Sequence, residues 1–197
     1  MMREMSLQEE LRNLSDAAKS YLMLTSEDVE RVKGSEGLFL ENLDKIVRGA
    51  LESLLSCKLA AKFIERSGLT EERAADLFRR WLTLFVRGGY DLDHAKEVFK
   101  IGLAHARYGV PTRLVCLCIG AWLREILKVI GGSDVEDKAG LSISVVKLIF
   151  WNLVVMLQGY HIARRESLKK GGISPQLAEK LFMLKAEEVY KSFKERL

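Results

Sequence analysis

Apolar residues recur at intervals of three and four positions along almost the whole chain, and this spacing constrains the fold more than any other feature. It matches the 3.6-residue period of helices that bury one face, whereas the prolonged alternation that is typical of half-buried strands is missing. The chain has 197 residues, of which 48% are hydrophobic, so it can bury one full-sized core. The sequence therefore predicts an all-α fold.

Helix boundaries follow from capping side chains and from glycine and proline. Residues that can cap a helix N-terminus stand at Ser6, Thr25, Thr70 and Asp91, and Ser174-Pro175 is a further start signal. The other predicted helices span about Glu36 to Cys57, Lys58 to Arg66, Pro111 to Gly131 and Ser142 to Leu168.

The net charge of +4 lies in the last part of the chain. From Arg164 onward there are nine basic and five acidic residues, and the remaining 22 basic and 22 acidic residues balance. Surfaces that bind nucleic acid usually cluster basic residues with interleaved aromatic ones or present a reading helix. Neither feature is present in the sequence, so the tail is interpreted as a solvated helical face and no nucleic-acid partner is expected.

The most apolar stretch, Ile143 to Leu157, predicts a buried helix. It has 15 residues and contains Lys147 and Asn152, whereas a membrane-spanning helix needs about 20 apolar residues. No membrane span is therefore expected. The odd number of cysteines (three) and the lack of an apolar signal run in Met1 to Met5 predict a reducing, cytoplasmic location.

His105 is the candidate functional residue. It lies inside an apolar run with helical spacing, Phe99 to Val115, which is interrupted by Gly109-Val110-Pro111. A single histidine in such a run is more often a satisfied core residue than a metal ligand, so the run by itself leaves both interpretations open.

The residues around His105 narrow this choice. The text Ile101-Gly102-x-x-His105-x-Arg107-Tyr108-Gly109-Val110-Pro111 closely resembles the proximal segment of globin-coupled sensors and protoglobins, which reads roughly Ile-Gly-x-x-His-x-Arg-Ile-Gly-Ile/Leu-Pro. Two shorter stretches, Tyr21 to Val29 and Trp81 to Asp91, resemble the leading helices and the distal helix of the same family. At motif level the resemblance covers roughly Tyr21 to Leu127.

This resemblance implies a globin-like helical fold with an extra N-terminal helix and an extra C-terminal helix. Residues 1–172 would form the sensor-globin domain and residues 173–197 a C-terminal helix. It also implies that His105 binds the iron of a haem b. Since Cys-x-x-Cys-His is absent, the haem would be held without covalent attachment. The implied function is to bind or sense a diatomic gas: oxygen, carbon monoxide or nitric oxide.

The chain departs from the family pattern at one important position. The family typically reads Phe-Tyr-x-x-Leu-Leu, with the tyrosine facing the gas, and an alignment on Leu54-Leu55 places Ala50-Leu51 at that pair. Leu51 then replaces the tyrosine, which leaves no obvious hydrogen-bond donor. We expect a mostly apolar distal pocket that favours carbon monoxide or nitric oxide over long-lived oxygen binding.

Apolar residues near these motifs are the expected walls of the pocket. Leu51, Leu77 and Trp81 are expected on the distal side, and Tyr108 and Leu114 on the proximal side. Each is equally compatible with an ordinary core position, because stripes with this spacing usually form a core.

The remaining expectations concern the surroundings of His105. Its second ring nitrogen should donate to the carbonyl of Ile101. Gly102 either faces the cofactor or packs against another helix. Arg107 and Arg113 are candidates for binding the haem carboxylates, with ordinary surface charge as the alternative.

Three functional interpretations differ in kind. The leading one is a gas-binding sensor globin that is not an enzyme, with side reactions of the haem left open. A non-haem regulatory module with the globin fold, acting through protein–protein contacts, is the main alternative. An enzyme with His105 as a base is disfavoured, because no carboxylate, serine or cysteine forms a nucleophile–base set with it.

The late helices are the expected contact surface. By resemblance we expect a homodimer through these helices, including Ser142 to Leu157, and a separate signalling partner is a further possibility. The last helix has a stripe that suits a dimer, a partner or docking on the chain itself; its residues are Phe182, Ala186, Val189, Phe193 and Leu197.

Overall fold

Residues 6–194 are described by the computed structural model, and they form ten helices and no strand, which confirms the all-α prediction. The helices are α1 (Leu7–Tyr21), α2 (Ser26–Gly34), α3 (Glu36–Glu41), α4 (Leu43–Leu55), α5 (Lys58–Ser67), α6 (Glu71–Arg87), α7 (Leu92–Arg107), α8 (Thr112–Gly131), α9 (Lys138–Lys170) and α10 (Pro175–Lys194).

The predicted capping residues begin their helices. Ser6 and Thr25 form capping boxes at α1 and α2, and the side chains of Thr70 and Asp91 accept backbone hydrogen bonds at the starts of α6 and α7. Each cap satisfies a backbone N–H group that has no partner within its helix. Local sequence therefore determines where these helices begin.

The prediction of a single helix from Glu36 to Cys57 is wrong in one respect. It is divided into α3 and α4 at Asn42, whose backbone angles are φ −100° and ψ 11°. The Asn42 side chain donates to the carbonyl of Leu38 at 3.0 Å. Asparagine side chains that bond to nearby backbone offer an alternative to a continuous helix.

Two units can be distinguished along the chain. The first ends at Gly159 and the second begins at Tyr160, so the boundary falls within α9. In the first unit α4 packs against α6 and α8, and α1 packs against α7. The largest fully buried side chains of this unit include Phe39, Ile46, Phe85, Tyr90 and Trp151.

The second unit contains the end of α9 and the whole of α10. The guanidinium of Arg164 lies 6.0 Å from the centre of the Phe182 ring. No described residue of α10 is buried, and the stripe residues Phe182, Val189 and Phe193 are exposed. Leu197, the last residue of the predicted stripe, lies outside the described residues.

α9 is longer than the apolar stretch that predicted it. In the described part of the chain it is the one helix that is long and apolar enough to cross a membrane. The sequence argument from a length of 15 residues therefore does not hold for this 33-residue helix. Over half of its most apolar window is buried inside the protein, as in an ordinary core helix.

A buried carboxylate joins α2 to α9. Asp28 accepts hydrogen bonds from Ser144 Oγ at 2.8 Å and from Lys147 Nζ at 2.9 Å, and it also accepts from the backbone N–H of Thr25. Burial by itself raises the pKa of Asp28, but these hydrogen bonds outweigh it and hold the pKa below its ordinary value.

Replacing Asp28 by Asn is expected to lower the free energy of unfolding at pH 7 by about 1–3 kcal/mol, because buried donors lose their ionised acceptor. Since the folded-state pKa is depressed, this stabilisation is complete above the unfolded value of about 3.9 and is lost as the pH falls through the folded-state pKa. Urea unfolding of both proteins from pH 7 downward checks this. The Asp16→Asn variant, at an exposed position, should have nearly the wild-type free energy of unfolding at every pH. A loss of unfolding free energy in Asp28→Asn that does not depend on pH would contradict the account.

Candidate functional site

A cavity of about 470 Å³ lies among α5, α6, α7 and α8 of the first unit. Cavities of this size are typical of small-molecule and cofactor sites. Its walls are mainly apolar: α6 contributes Ala74, Leu77, Phe78, Trp81 and Leu84, and α8 contributes Leu114, Val115, Ile119 and Trp122. Among the described residues, no aspartate or glutamate lines it.

His105 lines this cavity from the last turn of α7 and is half-buried. Its Nδ1 lies 2.8 Å from the carbonyl oxygen of Ile101, so the predicted hydrogen bond is confirmed. A carbonyl can only accept, and Nδ1 therefore carries the proton. In the neutral ring this leaves the Nε2 lone pair free to bind a metal.

The end of α7 is fixed directly after His105. Gly109 adopts a left-handed conformation with φ +68°, and its N–H donates to the carbonyl of Ala106. The N–H of Val110 donates to the carbonyl of His105 itself at 3.0 Å. These two bonds form a Schellman motif, which satisfies the last carbonyls of the helix and requires glycine at the left-handed position. The histidine thus sits on a well-defined helix end.

The corner between α6 and α7 is equally constrained. Tyr90 is buried, and its hydroxyl donates to the carbonyl of Phe85 at 2.8 Å. The His94 ring stacks on Tyr90 with 4.4 Å between ring centres and lies directly against Gly88, where a β-carbon would be 1.7 Å from His94 Cε1. Burial lowers the pKa of His94 to about 4. His94 is therefore a neutral core residue at this corner and does not line the cavity.

α7 approaches α9 at two glycines. A β-carbon at Gly102 would lie 1.9 Å from the carbonyl oxygen of Met156, and one at Gly159 would lie 2.7 Å from the backbone nitrogen of Leu103. Both glycines therefore allow backbone-to-backbone contact. Of the two roles expected for Gly102, the structure shows helix packing, since its missing side chain points to α9.

Most of the residues expected at the site come together around the cavity. Leu77, Trp81, Ile101, Tyr108 and Leu114 line it together with His105. These residues come from three different helices, so the fold assembles them from distant parts of the sequence.

The other expected residues do not line the cavity. Leu51 is buried in α4, where that helix packs against α6 and α8. Arg107 lies with its guanidinium 5.8 Å from the centre of the Tyr108 ring. Gly102 contacts α9, as described above, and the exposed Arg113 is also not among the lining residues.

Sequence reasoning missed several residues of the wall. Arg73 and Arg80 line the cavity from α6, and Phe63 and Ile64 line it from α5. On α6 a signal was present. Arg73 lies four residues before Leu77 and Arg80 lies three residues after it, so all three fall on the same helical face. Nothing in the α5 sequence indicates which neighbour its apolar stripe contacts.

Trp81 and Cys118 each bring a polar group to this largely apolar wall. The indole nitrogen of Trp81 is buried and has no hydrogen-bond partner among the described residues. The Trp81 ring packs against Trp122 with 4.8 Å between ring centres. Burial raises the pKa of the Cys118 thiol to about 11, so this cavity-lining group stays neutral at pH 7.

Comparisons with known proteins agree with this architecture. The protoglobin family model matches residues 12–166. The globin domain of the Geobacter sulfurreducens globin-coupled sensor is similar to the chain with a TM-score of 0.67 and 23% identity, covering 74% of this chain and 96% of that one. The ferric globin domain of E. coli DosC is similar with a TM-score of 0.62 and 14% identity, covering 74% and 99%. Curated protein sequences give no match. The predicted globin-like fold is thereby confirmed.

Replacing Gly102 by Ala is expected to lower the free energy of unfolding by about 1–3 kcal/mol, because α7 and α9 must separate to admit the methyl group. Gly37→Ala is the matched control: Gly37 lies in α3 with open space at its β-position, and the exchange should be neutral or stabilising by up to about 1 kcal/mol. Chemical denaturation measures both, and equal effects of the two exchanges would contradict the close approach of α7 and α9.

Proposed function

The chain belongs to the protoglobin family, and from this premise we propose that its cavity binds haem b without covalent attachment, with His105 as the residue that would bind the iron. The protein would then bind or sense a diatomic gas. The observation that carries the proposal is an imidazole held by a backbone carbonyl at the wall of an apolar cavity of about 470 Å³.

The residues present fit such a group. Within residues 6–194 no cluster of three or more His, Cys, Asp or Glu side chains could hold a metal ion. A lone histidine suits an iron atom that a porphyrin already holds. Haem is a flat, mostly apolar disc, and the apolar residues that α6 and α8 contribute to the cavity suit such a group.

Each part of the site has its own contribution. When bound, haem would supply an iron atom that can bind a diatomic gas. His105 would bind the iron through Nε2, and its Nδ1–H bond to the carbonyl of Ile101 fixes the orientation of the ring. Leu77, Trp81 and Trp122 would give the group an apolar surface to pack against. No nucleophile–base pair is needed for this role, so we propose a binding protein and not an enzyme.

Purified protein loaded with hemin should show the intense Soret band of a histidine-ligated haem. His105→Ala should weaken hemin binding and shift the band, and added imidazole should restore part of its position because it replaces the missing ring. His161→Ala, an exposed histidine in the second unit, is the matched control and should behave as wild type. A wild-type protein that stays colourless and rejects hemin would instead support the non-haem regulatory module.

The apolar wall supports a preference for carbon monoxide or nitric oxide over long-lived oxygen binding. Leu51 does not line the cavity. The unpartnered indole N–H of Trp81 is covered by neighbouring atoms, so this donor does not face the cavity. Oxygen gains most from a hydrogen-bond donor, and none reaches the cavity from these positions.

Carbon monoxide added to the reduced, haem-loaded protein should therefore give the infrared stretching band of an apolar environment. Trp81→Phe keeps the ring and removes the N–H, and it should leave the band where it is. A band typical of strong hydrogen bonding would contradict the apolar assignment, and its movement in Trp81→Phe would identify the indole as the donor.

Apolar side chains on α8 and α9 support the proposed homodimer. Leu117 on α8 and Ile143 and Phe150 on α9 are each 44–57% exposed, and the last two lie seven residues apart on one helical face. Large exposed apolar side chains that share a face are typical of protein contact sites. The exposed apolar side chains of α10 form a second surface, which a separate signalling partner can contact.

The three cysteines are free thiols, which supports a reducing, cytoplasmic location.

Sedimentation velocity should show a dimer for the wild type and a monomer for Ile143→Glu/Phe150→Glu, because buried carboxylates without partners oppose association. Leu7→Glu places the same charge on α1 at a side chain of similar exposure, and this control should remain dimeric. A wild-type monomer, or a double variant that still dimerises, would contradict the proposed interface.

A further inference from the structure

Two arginines on α6 are the basic groups at the cavity wall besides His105. Arg73 and Arg80 both line the cavity and are exposed, so their guanidiniums can remain hydrated at its edge. They lie seven residues apart, which places them on the same helical face about 10 Å from each other along the axis. No described lining residue carries a negative charge that could neutralise them.

The two arginines differ from their neighbours on the same helix. Arg79 pairs with Asp44 at 2.9 Å and with Asp76 at 3.0 Å, and Arg87 pairs with Glu36. In the described part of the chain, neither Arg73 nor Arg80 has a side-chain hydrogen bond or an ion pair. Asp76, one turn before Arg80, is already occupied by Arg79.

We propose that Arg73 and Arg80 bind the two carboxylates of the haem, an inference that rests on the proposed function of the cavity. The carboxylates stand on one edge of an otherwise apolar disc, and α6 offers two guanidiniums on one face next to an apolar wall. A guanidinium binds a carboxylate through two parallel hydrogen bonds, which favours arginine at such positions. The pair fixes which edge of the haem faces the solvent.

Arg107 and Arg113, the candidates from sequence, are less well placed for this role. Neither lines the cavity, and Arg107 lies over the Tyr108 ring. We therefore assign the carboxylate contacts to α6 and not to the end of α7.

The test compares hemin with its dimethyl ester, in which both carboxylates are neutral. Equilibrium binding of each to the full-length, haem-free protein is followed by quenching of tryptophan fluorescence, since Trp81 and Trp122 line the cavity. Wild type should bind hemin at least about tenfold more tightly than the ester, because charge-assisted hydrogen bonds are lost in the ester. In Arg73→Ala/Arg80→Ala this ratio should fall towards one.

Two controls separate this contact from general effects. Arg79→Ala/Arg87→Ala removes the same charge from the same helix, yet it should keep the wild-type ratio. His105→Ala should weaken both ligands alike and also keep the ratio. Far-UV circular dichroism of each variant checks that the total helix content is unchanged.

A wild type without preference for hemin over its ester overturns the assignment, while haem binding itself stands. An unchanged ratio in Arg73→Ala/Arg80→Ala overturns it as well, including the case in which the affinities for hemin and for its ester fall by the same factor. If the wild type binds neither compound, the proposed function fails and this assignment fails with it.

Discussion

The close approach of α7 and α9 is the contact on which the rest of the site depends. At Gly102 and Gly159 the two helices meet backbone to backbone, with no space for a β-carbon. Because an α-helix presents neighbouring residues at 100° intervals, seating Gly102 against α9 determines where the other faces of α7 point. His105, three residues later, then lines the cavity, whose walls include residues of α6 and α8. Glycine is needed here for proximity and not for an unusual backbone conformation.

The arginines of α6 differ in whether a carboxylate of the protein pairs with them. Of the arginines at positions 73, 79, 80 and 87, the two that do not line the cavity pair with carboxylates, and the two that line it have no such partner among the described residues. Exposed ion pairs contribute little to stability, so this division is not explained by folding. It is explained if the cavity receives a ligand that brings its own negative charges.

Sequence predicted the parts of this architecture that are encoded locally. Caps at Thr25, Thr70 and Asp91, and the stop after His105, depend on a few neighbouring residues, and all of them are found in the structure. The hydrogen bond from His105 to Ile101 also lies within one helical turn. The sequence does not indicate which helix or cavity each helical face contacts. Leu51 and Leu77 have equivalent apolar spacing, yet only Leu77 lines the cavity. The division of one predicted helix at Asn42 depends on a side-chain bond to Leu38 that competes with the regular helical pattern.

The central claim is that Nε2 of His105 binds iron in the cavity beside α6. Resonance Raman spectroscopy of the reduced, haem-loaded protein observes that bond directly through its iron–histidine stretching band. The account predicts this band in the wild type, its loss in His105→Ala and its retention in His161→Ala. A haem-loaded wild type without the band, or a His105→Ala protein that keeps it, would show that another residue holds the iron and would contradict the account.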